Sequence, residues 1–139
     1  MARNGYPVIH SVRTMNVCLA ASGPLVAFAS GTRKIIMPGR GKVIGVSLNL
    51  QGKGGTHVTS TVDVQDDGVS ILTAPFNVAT AVAGTPQSKE ASPGGTGLAA
   101  AADDVRKDSV ISIIMAEAGG TAPTFQGADL QIDWMPLAD

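Results

Sequence analysis

A chain of 139 residues fits one domain, long enough to bury about two-thirds of its unfolded surface. Apolar residues make up 44% but only five are Phe, Trp or Tyr, so a core has to come from Val, Ile, Leu and Ala. The lone Cys18 excludes an internal disulfide and a thiolate zinc cluster, no apolar run is long enough to cross a bilayer as a helix, and the opening "MARNGYPVIHSVR" lacks the apolar stretch of a signal peptide. The expectation is a soluble chain made in a cytoplasm, with no membrane partner.

Net charge is −1, yet it is unevenly spread. Residues 1–60 hold Arg3, Arg13, Arg33, Lys34, Arg40, Lys42 and Lys53 and no acid, whereas residues 61–139 hold three bases and all eleven acids. Such asymmetry points to a charged partner, or to copies meeting through opposite faces; the alternative is that the halves interleave and their charges mix. Nucleic acid is disfavoured as that partner, because the bases are scattered and only Tyr6 and Phe28 accompany them for stacking.

Residues 1 to about 15 show weak periodicity and read as an extended arm or irregular first strand. "MNVCLAASGPLVAFAS" gives two short apolar segments parted by Ser22-Gly23-Pro24, a turn signal. Ile35–Met37 reads as a short strand, Pro38-Gly39 as a turn, and 42–50 as a strand in which Ile44, Val46, Leu48 and Leu50 share one face. Gln51–Gly55 reads as a loop. In "TSTVDVQDDGVSILTAP", Val58, Ser60, Val62 and Val64 alternate with Thr59, Thr61, Asp63 and Gln65, and Asp67-Gly68 supplies the positive φ of a primed two-residue turn. An even loop sets Val64 opposite Ile71; a three-residue loop reverses the parity.

Further on, Phe76 to about Val82 is a candidate strand, and 85–97, rich in Gly, Pro and Ser, a flexible loop. Leu98–Ala102 reads as a short strand and "DDVRKD" as the turn after it. "SVISIIMAEA" is β-branched and nearly all apolar, as a central strand requires, and after a loop over 119–127 the alternation of Ala128, Leu130, Ile132 and Trp134 marks the last strand. Eight to ten short strands with Gly, Pro and Asp turns predict an all-β fold, an antiparallel β-sandwich or jelly roll, with residues 1–30 as the N-terminal arm and first irregular strands and 31–139 as the sandwich.

Chemistry-bearing sets are sparse. His10 and His57 lie far apart, with His57 read as a surface residue, and a Cys18–His10 pair is outweighed by a plain core thiol. "GKGGT" lacks the earlier glycine of a phosphate loop, and "GRGKVIG" precedes a strand where a dinucleotide fingerprint precedes a helix. Asp63, Asp66 and Asp67 lack the ligand spacing of a calcium loop. Asp129 and Asp133 share a strand face roughly 13 Å apart, beyond the about 5 to 9.5 Å of glycosidase pairs. The expectation is a protein without catalytic residues, cofactor or metal, acting through its surface.

"KIIMPGRGKVIGVSLNL", "STVDVQDDGVSILTAP", "DVRKDSVISIIMAEAGG" and "ADLQIDWM" together resemble small β-sandwich domains of tailed-bacteriophage structural proteins, notably capsid decoration (cement) proteins and some fibre domains. The resemblance covers roughly residues 33–135 and rests on strands and turns. It implies a jelly-roll-like domain on the outer surface of the virion capsid, a homodimer or homotrimer clamping neighbouring major capsid proteins; a receptor- or carbohydrate-binding domain of a tail fibre or spike is the alternative. Arg3, Tyr6 and Arg13 on the arm, and Arg33, Lys34, Arg40 and Lys42 around the basic turn, are the candidate partner-binding residues.

Overall fold

The computed structural model describes residues 11–90 and 97–138. Their strands are β1 (Arg13–Ala20), β2 (Val26–Ala27), β3 (Gly31–Ile36), β4 (Gly41–Thr56), β5 (Thr59–Asp66), β6 (Val69–Ser70), β7 (Phe76–Asn77), β8 (Gln87–Glu90), β9 (Val110–Ala118) and β10 (Thr121–Pro136). One sheet runs β1-β10-β4-β8, with β2 also on β10; the other runs β3-β9-β5-β6, with β7 also on β5. Every pairing between these strands is antiparallel. Successive strands cross between the sheets, except that β1 and β2 both lie in the first and β5, β6 and β7 in the second, and this order is that of a jelly roll built from two Greek keys.

The hairpin behaves as its alternation demands. Gln65 pairs with Ser70 and Asp66 with Val69, leaving Asp67 (φ 46°) and Gly68 (φ 90°) as the two-residue turn. The Ile71 amide then donates to the Val64 carbonyl at 2.9 Å, keeping the valine face against the apolar partner. β9 lies between β3 and β5, the central position expected of it. The core gathers Val46, Leu48, Val62, Val64, Ile111, Ile113, Leu130, Ile132 and Trp134 from the inner faces of both sheets. Each such side chain, fully buried, contributes about 1.5–3 kcal/mol.

Several elements depart from the sequence reading, and bulges or backbone pairing explain most of them. Of the two readings of the N-terminal segment, residues 13–20 take that of an irregular first strand: they pair with β10, with a register shift between Cys18 and Ala20, and so belong to the sandwich. In β4 it is Val43, not Ile44, that is buried, because Trp134 pairs with Val43 while Asp133 pairs with Gly45, and the extra residue inverts the alternation. Gln51–Gly55 is strand, its glycines paired to the first half of β10, so the expected loop over 119–127 is largely strand as well. The second irregularity of this ladder puts Ala122 at φ 45°, and a Cβ on Gly55 (φ 69°) would run into the Ala122 carbonyl oxygen. Only Phe76–Asn77 of the expected 76–82 strand is paired; Gln87–Glu90, expected as loop, joins β4; Ala100–Ala102 is a 3-10 turn.

Candidate functional site

The basic residues singled out from the sequence separate into different environments. Arg3 and Tyr6 lie outside the described residues. Arg13 opens β1 with its guanidinium 5.7 Å from the Trp134 ring centroid. Arg33 donates to the carbonyl oxygens of Cys18 and Leu19, both at 3.1 Å. Arg40 forks onto Asp104 at 2.8 and 2.9 Å and donates to the Ala138 carbonyl, while Lys42 stands 3.6 Å from Asp103. Neither Arg13 nor Lys34 makes a hydrogen bond or ion pair to a described residue, but Arg13 has the Trp134 ring, whereas Lys34 projects from the outer face of the second sheet.

The Arg40–Asp104 pair joins a base of the first half of the sequence to an acid of the second. Its hydrogen bond, and the charges of Arg40 and Arg106, hold the Asp104 carboxyl below the ordinary 3.8. Lys42 and Asp103 repeat this mixing beside it. At this corner the chain's uneven charge is neutralised by folding.

Charge is nonetheless segregated along the sandwich. One end carries the β3–β4 turn, the β5–β6 turn and residues 103–109, tied together where Met37 bonds Ser109 and Asp67 bonds Val110. Arg40, Lys42, Asp66, Asp67, Asp103, Asp104, Arg106, Lys107 and Asp108 sit there. The opposite end is built from residues 21–30, 52–58, 78–85 and 116–124, joined by the pairs Thr56–Thr121, Thr59–Ala118 and Thr124–Ala27. Among the described residues, its charged or titratable side chains are Lys53, His57 and Glu117.

All three are turned onto their own chain. Lys53 donates to the carbonyls of Val78 and Ala79 at 2.9 and 2.8 Å. Glu117 accepts from the Gly120 amide at 3.0 Å. His57, expected at the surface, is half-buried: one ring nitrogen lies 2.9 Å from the Ser60 hydroxyl, and the other donates to the Thr124 carbonyl at 3.0 Å. Ser60 is fully buried, so this Ser–His pair fastens the β4–β5 turn and offers no accessible nucleophile. The same end exposes Leu25 (48%), Val26 (45%), Val58 (58%) and Val82 (64%).

A different surface covers the outer face of the first sheet. Register places Asn16, Gln131, Ser47 and Ser88 in one row across four strands. Flanking rows run Thr14–Asp133–Gly45–Glu90 and Cys18–Asp129–Asn49. The side chains are polar throughout, apart from Gly45 and the Cys18 thiol. Together with Pro86, the middle row, Asn49 and Asp129 border a depression of about 400 Å³. Asp129 and Asp133 do share a face, as their spacing predicted, but Asp133 is engaged by Thr14 at 2.8 Å and Gln131 at 3.1 Å. Sequence reasoning missed this surface because it depends on which strands lie side by side, and β8 was read as loop.

No protein-family model matches the chain, and no curated protein matches it.

Proposed function

We propose that this chain is a virion structural protein that sits on the outside of a bacteriophage head and cements neighbouring major capsid proteins, working as a homodimer or homotrimer. The observation that carries this reading is the charge-poor end of the sandwich. There Leu25, Val26, Val58 and Val82 stand in solvent while Lys53, His57 and Glu117 bond their own chain. Depletion of charge around exposed aliphatic side chains is the composition of a protein–protein contact core. The surface expected to dock changes accordingly: Arg40 and Lys42 are committed to Asp104 and Asp103, and the apolar end takes their place. Repetition on a symmetric shell multiplies a weak contact, so a small patch suffices.

The test is co-sedimentation of the purified chain with phage heads assembled in its absence, followed by heating of the decorated and bare heads. Saturable binding and a higher temperature of DNA release support the reading. Heads that neither bind the chain nor gain stability from it would sink it.

A further inference from the structure

We infer that the outer face of the β1-β10-β4-β8 sheet is a binding site for a neutral polyhydroxylated ligand, a glycan of one or two sugar rings. Asn16, Asn49 and Asp129 point into the depression, and their side chains have no hydrogen-bond partner among the described residues. Amides donate and accept, a carboxylate accepts twice, and the hydroxyls of Ser47 and Ser88, 3.1 Å apart, do both. Sugar hydroxyls are likewise donor and acceptor at once, and they occur in adjacent pairs that suit such a set.

The geometry is regular because the strands make it so. Neighbouring side chains stand about 5 Å apart across the strands and about 7 Å apart along them, giving a grid of polar groups at fixed spacing. The sheet holds this grid before any ligand arrives, which lowers the ordering cost of binding. The volume of about 400 Å³ lies within the range of small-molecule sites. Pro86, at its border, supplies an apolar surface for the C–H side of a ring.

Charge selects among glycans. Asp129, Asp133 and Glu90 lie on this face, whereas Lys89 is turned the other way, its ammonium 5.2 Å from the Phe76 ring centroid. Among the described residues, the charged groups an acidic sugar meets here are carboxylates, so the site favours neutral ones. With no aromatic side chain in the lining, stacking is missing and single-site affinity is weak, in the millimolar range for a few net hydrogen bonds.

The experiment is titration of the isotopically labelled full chain with glucose, galactose, mannose and N-acetylglucosamine, followed by amide shifts, with N-acetylneuraminic acid as the anionic comparison. The expected result is saturable shifts centred on Asn16, Ser47, Asn49, Ser88, Asp129 and Gln131 for at least one neutral sugar, unaffected by EDTA. Asp129→Ala is expected to weaken binding about tenfold, the loss of a charge-assisted hydrogen bond. Should that variant not give a folded spectrum, Asn49→Ala replaces it, with an expected loss of about fivefold. No response to any neutral sugar, shifts centred elsewhere, tighter binding of the acidic sugar, loss of binding in EDTA, or a folded variant with unchanged affinity would each overturn the inference. No phage head enters the experiment, so its outcome is independent of the docking proposal.

Discussion

Arg33 on β3 reaches across the sandwich to β1, where its guanidinium donates to the Cys18 carbonyl at 3.1 Å and to the Leu19 carbonyl at the same distance. β3 and β1 are edge strands of opposite sheets, and Leu19 sits at the irregularity where Cys18 pairs with Asp129 and Ala20 with Ala128. One side chain therefore ties two sheet edges together and occupies backbone acceptors that an edge otherwise offers to another strand. Arg33→Lys keeps the charge but loses the planar fork. It is expected to cost about 1–2 kcal/mol, read by calorimetry as a fall in Tm of roughly 3–8 °C. An unchanged Tm would show that the two carbonyls are served equally well by water.

Lys53 does comparable work at the charge-poor end. Its ammonium closes residues 78–79 against β4 through two carbonyls, and the Val78 amide donates to Ser60 at 2.7 Å. Lys53→Met preserves the length of the stem and removes the donors. The expected effect is a loss of about 2–3 kcal/mol, with faster amide exchange in residues 78–84 before the rest of the fold. Uniform exchange across the sheets would assign Lys53 a global role in place of this local one.

Acid acts on the opposite end. A carboxyl held below its unfolded value stabilises the fold above that value, and the contribution disappears as pH falls through the folded one. For Asp104 the window lies below the ordinary 3.8, since hydrogen bonding and charge from Arg40 lower it. Carboxyl chemical shifts followed against pH are expected to give Asp104 a lower midpoint than a free aspartate. In Arg40→Met the midpoint rises towards the ordinary value. A midpoint insensitive to Arg40 would contradict the ion pair.

Trp134 explains a glycine that the sequence shows only as part of a turn. A Cβ on Gly41 would collide with the indole ring, which is 2% exposed and fixed in the core. Gly41→Ala must displace the ring or the β3–β4 turn, at an expected cost of about 1–3 kcal/mol. Urea unfolding with Trp134 fluorescence measures both the stability and the changed environment of the ring.

How much of this was legible beforehand follows from where the information resides. The β5–β6 hairpin and the alternation of β10 are local: parity and an Asp-Gly turn specify them without knowledge of the partner. The bulge that buries Val43 at the expense of Ile44 is not local, because it exists only relative to Asp133 on β10. Glycine-rich residues 51–55 read as loop on propensity, yet residues 52–54 are long-range ladder partners of 124–126, and pairing overrides the preference. The commitments of Arg33, Arg40 and Lys53 were invisible for the same reason. Each acceptor lies on a distant element: residues 18 and 19 for Arg33, 104 for Arg40, 78 and 79 for Lys53. A count of bases therefore pointed to Arg40 and Lys42 at the charged end, whereas the fold pairs both with acids and leaves the opposite end poor in charge.

That difference yields a direct contest between the two ends. Val58 is 58% exposed and Leu25 48%, so Val58→Asp and Leu25→Asp remove little packing and are expected to change stability by no more than about 0.5 kcal/mol. Docking through the charge-poor end predicts that either substitution weakens binding to bare heads by tenfold or more, since a buried unpaired carboxylate costs about 1–3 kcal/mol or more. Lys34→Glu, on the outer face of the second sheet, is then expected to leave binding within about twofold, because a rim charge mainly alters the association rate. Co-sedimentation at two salt concentrations separates the cases. Apolar docking is nearly indifferent to salt, while docking through Lys34 and other surface cations weakens as salt rises. Binding that survives Val58→Asp but fails in Lys34→Glu would move the contact to the second sheet and leave the exposed aliphatic side chains without a partner.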